Sequence, residues 1–111
     1  MTTQENSIQK DISILELMIV KITKYFDKSL YIGDLIYDLE SYLNQLMTID
    51  KQWEKDFRTI WLDIEVAYSL ALDQGLEKFT DEGNVIAENS LHTLKKMAQE
   101  KINNLNPKFE P

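Results

Sequence analysis

The sequence predicts an all-α domain, a single bundle of four amphipathic helices. Apolar residues recur at the helical period in four separate segments. Three glycines and two prolines in 111 residues are too few for a turn-rich β sandwich. No cysteine is present, so neither a disulfide framework nor a thiolate metal site is expected, and the fold must hold by packing. No internal repeat or low-complexity linker divides the chain, and residues 1–111 read as one domain.

The first helix is predicted over about residues 8–27, with Ile8, Ile12, Leu15, Ile19, Ile22 and Phe26 on one line and Ser7 as its N-cap. Ile14, Leu17, Met18 and Val20 widen that line until the middle of the helix is apolar nearly all round. Such a helix is central in a bundle or lies at a subunit contact, which makes a homo-oligomer through this helix one expectation. A strand is the competing reading of DISILELMIV, given its isoleucines.

The second helix is expected over about 30–47, following Ser29, with Ile32, Leu35, Ile36, Leu39, Leu43 and Leu46 inward. The third spans about 51–74, with Asp50 as N-cap and Gly75 as the C′ residue. Trp53, Phe57, Ile60, Trp61, Ile64, Tyr68 and Ala71 form its inner face. The fourth spans about 81–105 behind a Thr80 cap, with Asp81 and Glu82 at the positive end of the helix dipole. Its apolar stripe is Ile86, Leu91, Leu94, Met97, Ala98, Ile102 and Leu105, and Pro107 closes it.

The net charge of −7 is unevenly placed, since residues 34–88 hold thirteen acidic side chains against four basic ones. Nucleic acid is therefore not an expected partner, because polyphosphate binding begins with Lys and Arg displacing counterions. A basic protein fits better. No segment is long and apolar enough to suggest a membrane span, Glu16 and Lys21 interrupt the first apolar run, and no basic leader precedes it. The expected compartment is the cytoplasm, with no membrane partner.

In WEKDFRTIWLDIE, residues 53–65, the aromatics project onto one sector while Asp56 and Asp63 border it on one side and Glu54 and Glu65 on the other. The rings read as core and the carboxylates as a rim. Asp34, Asp38, Asp56, Asp63, Asp73 and Glu77 lie on the second and third helices or their ends with few nearby cations in sequence, and self-repulsion on that scale makes a binding use worth considering. Leu62 and Val66 project from the outer side of the third helix, either packed by the first helix or left exposed as an anchor. Tyr31, Tyr37 and Tyr42 stand on or beside the second helix, where tyrosine serves equally a core edge or an interface. The expected partner-binding set is Tyr31, Asp34, Tyr37, Asp38, Leu62, Asp63 and Val66.

No catalytic residue, metal site or cofactor is expected. The one histidine, His92, follows Glu88 by a helical turn and reads as a surface residue. There is no HExxH, no Glu-x-x-His pair and no glycine-rich phosphate loop. Asp34 and Asp38 with Asp63 or Glu65 offer carboxylates to Mg²⁺ between helices. Helical nucleotide pyrophosphohydrolases use such groups, but their repeated paired glutamates are not matched.

The runs SLYIGDLIYDLESYLNQL and IDKQWEKDFRTIWLDIEVAYSLAL resemble small acidic α-helical immunity proteins of bacterial contact-dependent inhibition and related polymorphic toxin systems. In that pattern an acidic helix with Asp-Leu and Leu-Glu steps precedes a longer helix with spaced Trp, Phe and Trp, then an Ile-Glu step and a Tyr. The matching positions are Asp34, Leu35, Leu39, Glu40, Trp53, Phe57, Trp61, Ile64, Glu65 and Tyr68, within residues 29–72. The Tyr-Tyr-Pro feature of the helical colicin-nuclease immunity proteins is missing, so that group is not implied. The resemblance implies an antidote that binds the C-terminal domain of a cognate toxin, such as a basic nuclease, and neutralises it without turnover. The alternative is a self-associating helical adaptor with no toxin partner.

Overall fold

In a computed structural model, which describes residues 3–76 and 78–106, four helices run up and down around one core. They are α1 (Thr3–Phe26), α2 (Ile32–Gln45), α3 (Lys51–Asp73) and α4 (Asp81–Leu105). No strand occurs among the described residues, so the strand reading of DISILELMIV falls. Each helix packs on its sequence neighbours and α4 closes the ring against α1. The molecule is elongated, 52 × 24 × 19 Å, and its longest helix, of 25 residues, accounts for about 37 Å of that length.

Caps set most of the boundaries. Asp50 accepts a hydrogen bond from the Trp53 amide and Thr80 accepts one from the Gly83 amide, so both expected N-caps form. Gly75, at φ 75°, ends α3 as the left-handed residue, while the Leu76 amide donates to Ala71 and that of Gly75 to Leu72. Lys28 plays the same part after α1 at φ 65°, with the Ser29 amide donating to Lys24 and its own amide to Tyr25.

One expected cap and one expected helix start are corrected. Ser7 lies inside α1, which starts at Thr3, a turn earlier than its apolar line, with Glu5 favouring the first turn. Ser29 does not cap α2: its hydroxyl donates back to the Lys24 carbonyl and so belongs to the end of α1. The N-cap of α2 is Tyr31, which makes no side-chain cap, and the helix spans 32–45 where 30–47 was expected. Pro107, expected to close α4, lies outside the described residues.

The core is the inner line of every helix. Leu15, Met18, Ile22, Leu35, Leu39, Phe57, Ile64, Leu91 and Leu94 are fully buried. Each such side chain contributes about 1.5–3 kcal/mol by leaving water. Trp61 is buried and its indole N–H donates to the Ile36 carbonyl at 2.9 Å, which satisfies the ring nitrogen and fixes the register of α3 on α2. Trp53 is half-buried beside Phe57, with the Lys101 ammonium 5.9 Å from its ring.

A carboxyl group is also sealed into this core. Asp11 is fully buried, and its carboxyl accepts hydrogen bonds from the amides of Met47 and Thr48 and from the Thr48 hydroxyl. It holds the middle of α1 to the α2–α3 loop. A further departure from expectation concerns Ile86, which is half-exposed because Gly83 and Ala87 take the inward positions at the start of α4. Small residues there let the helix approach its neighbours closely.

Candidate functional site

Between Lys28 and Lys51, and again between Arg58 and Lys78, the chain has no lysine or arginine. These two stretches contain all seven expected partner-binding residues. The fold lays them side by side as α2 and the C-terminal part of α3. Three pairings set that alignment: Tyr31 with Tyr68 through their hydroxyls, Ile36 with Trp61, and Glu40 with Arg58.

Cations reach α2 from both flanks. Lys21 of α1 bridges Asp38 at 3.3 Å, and Arg58 of α3 lies 3.4 Å from Glu40 while donating to the Asn44 side chain at 2.9 Å. Asp38, expected on a binding surface, is thus half-buried against α1 and staples two helices. Asp34 and Tyr37 occupy the outer ridge between these flanks, by helical spacing. Both are exposed, Tyr37 by 72%, and no cation pairs with Asp34 among the described residues.

On α3, Leu62 and Val66 are 44% and 52% exposed, which settles their placement: they are not packed by α1. Leu62 follows the Trp61 that contacts Ile36, and Tyr37 follows Ile36, so these two side chains border the α2–α3 seam. Asp63 is exposed on the other side of the outer ridge, toward α4. Six of the seven residues therefore form a band across the outer face, and Asp38 is turned out of it toward Lys21. Leu70, 56% exposed, continues the band and went unnoticed in the sequence reading, although its signal is there: it is the next i+4 step after Leu62 and Val66. Glu77, expected among the acidic residues, lies outside the described residues.

The tyrosines divide. Tyr42 packs on the core edge, and Tyr37 is free of it. Tyr31 is half-exposed yet folded over α2 to meet Tyr68, and Gly33 makes this possible, since a Cβ there would stand 2.8 Å from the Tyr31 ring and 3.1 Å from the Tyr68 oxygen. The Tyr31 hydrogen bond, then partial desolvation, push the Tyr68 hydroxyl up to about 12. Phe79 meets Tyr68 edge-on and completes this aromatic corner.

An open groove of about 820 Å³ lies at that end of the bundle, lined by Tyr25, Phe26, Tyr31 and Phe79, with Lys28 and Glu88 among its charged groups. Burial, and secondarily the Glu88 carboxylate, push the Tyr25 hydroxyl above its ordinary range. His92 does not line the groove; it is exposed, as the surface reading expects, and its imidazole stacks on Phe26 with ring centres 4.5 Å apart, while Glu88 accepts from Asn84. Among the described residues no three His, Asp or Glu side chains gather closely enough to hold a metal ion. No described helix is long and apolar enough to cross a membrane.

No known family model, curated protein or solved structure matches the chain.

Proposed function

We propose that this chain is a protein-binding module, an immunity protein that captures a basic toxin domain through the outer face of α2 and α3. The observation that carries the reading is the pairing of two cation-free stretches on one face that also exposes Tyr37, Leu62 and Val66. Uncompensated carboxylates repel one another and cost stability, so a surface that keeps them gains by meeting positive charge. Opposite potentials steer encounter, while a few apolar and aromatic side chains supply the anchoring contacts. A nuclease toxin presents a cationic cleft for phosphate, and an acidic face occupies or shadows such a cleft. The spaced aromatics of α3 and the acidic steps of α2 that resemble the immunity proteins add support from the same segment.

Growth rescue tests it. The coding sequences on either side are read first, and if one specifies a large secreted protein with a variable C-terminal domain, that domain is expressed with and without this chain; the absence of such a neighbour favours the adaptor reading below. Survival only with the chain, together with a complex of the two in solution, supports the antidote; toxicity undiminished by the chain overturns it.

A second reading has its own observation. Leu17 and Val20 are half-exposed on the outer side of α1, as an adaptor that self-associates through that helix would need. Sedimentation separates the two: a stable dimer that becomes monomeric in Leu17→Glu favours the adaptor, and a monomer at high concentration removes it.

A further inference from the structure

Leu62, Val66 and Leu70 recur at every fourth residue on the outer side of α3 and are all half-exposed. They form one i±4 row, the ridge that enters the groove of a crossing helix. The row is about 12 Å long at the helical rise, enough to be spanned by about three turns of a partner. Ile86, on the flank of α4 that meets α3, widens the apolar area to one side. The charged residues along the same part of α3 are Asp63, Glu65 and Asp73, with no lysine or arginine from residue 59 to 77.

We propose that this ridge seats one amphipathic helix of the partner, with an apolar stripe bordered by lysine or arginine. The inference rests on the docking reading above and specifies the element that docks. Helix-on-helix recognition needs anchors at i, i+3 or i+4, and i+7, and the spacing on α3 supplies the complementary row. Charge selects the occupant. A second copy of this chain, packed ridge to ridge, would set Asp63, Glu65 and Asp73 against themselves, and like charges across an interface oppose association. An anionic membrane is disfavoured by the same carboxylates, since interfacial binding draws on basic residues.

The test uses a synthetic helical peptide of about 18 residues with leucines on one face and lysines on the others, and a control with glutamate at every lysine position. Titrated into the isotope-labelled full chain, the basic peptide is expected to move amide resonances of residues 62–73 and to bind at least about tenfold more tightly than the control. Val66→Ser with Leu70→Ser removes apolar contact without changing charge and is expected to weaken binding about tenfold. A thermal melt confirms that this exposed pair leaves the fold intact, and single Val66→Ser replaces it if it does not. Equal binding of the acidic control, resonance changes centred elsewhere, unaltered affinity of the serine variant, or a dimer whose interface is this ridge would each overturn the proposal. A toxin domain that binds the serine variant normally sinks the ridge and leaves the antidote standing. A ridge that takes the peptide while growth rescue fails sinks the antidote alone.

Discussion

Asp11 and Thr48 tie α1 to the α2–α3 loop: the Thr48 hydroxyl donates to the Asp11 carboxyl at 2.6 Å and the Thr48 amide donates to the same oxygen at 2.7 Å. The Met47 amide donates to the other oxygen at 2.9 Å. Asp11→Ala strands these donors beside a cavity in the core, and a loss of about 3 kcal/mol is expected. Thr48→Val removes one donor and should cost about 1 kcal/mol. Urea denaturation of both variants and the double variant checks this. The combined loss should fall short of the sum, because the two side chains share one interaction.

Lys28 occupies the left-handed position that closes α1, at φ 65°, where a Cβ carries a steric cost. Lys28→Gly keeps both closing hydrogen bonds and relieves that cost. The expected gain is about 1 kcal/mol, or about 4 °C in Tm for a domain of this size. Gly75 offers the converse control: Gly75→Ala introduces the same strain at φ 75° and should lower Tm, although nothing within 4 Å crowds the added methyl group.

Legibility in the sequence followed how local each interaction is. Asp50, Thr80 and Gly75 act on amides or carbonyls within a few residues of themselves, and the ends they set for α3 and α4 match expectation within a residue. Ser29 misled because either neighbouring helix can use its hydroxyl, and only the geometry after Lys28 decides. Asp11 was missed because its partners lie 36 and 37 residues away, though a carboxylate on the line of Ile8, Leu15 and Ile22 is itself a signal. Ile86 was misplaced because Ala87 and Gly83 are inconspicuous in a pattern weighted toward large apolar residues. On the α2–α3 face Tyr37, Leu62 and Val66 are exposed, and for Leu62 and Val66 the sequence left exposure and packing by α1 both open. The Lys21 bridge that draws Asp38 out of it depends on the register of α1 against α2.

The Tyr31–Tyr68 contact gives the fold a pH dependence at the alkaline end. The Tyr68 hydroxyl is raised from 10.0 to about 12, first by its hydrogen bond with Tyr31, so the folded protein holds this proton where the unfolded chain has lost it. Its contribution to stability is complete below pH 10 and declines as pH rises through 12. Tyr31→Phe removes the hydrogen bond and should return the Tyr68 titration toward the ordinary tyrosine range, with a flatter loss of stability. Gly33→Ala should act in the same direction by displacing the Tyr31 ring. Ultraviolet absorbance titration and melts across the alkaline range measure both.

Charge reversal distinguishes steering from anchoring on the α2–α3 face. Asp34 and Asp63 are exposed, without an ion pair among the described residues, so Asp34→Lys with Asp63→Lys alters the potential while leaving the core alone. Against a basic partner the association rate is expected to fall about tenfold at low salt, and its salt dependence should flatten, because long-range attraction is the part that ions screen. The dissociation rate should change little, since apolar contacts at Leu62 and Val66 remain. Asp38→Lys serves as the contrast. It places an ammonium against Lys21, which bridges Asp38 at 3.3 Å in the native fold, so it should lower Tm as well as slow binding. Stopped-flow association across a salt series, read beside thermal melts, separates these effects. An on-rate unchanged by Asp34→Lys with Asp63→Lys at every salt concentration would remove this face as the site of encounter.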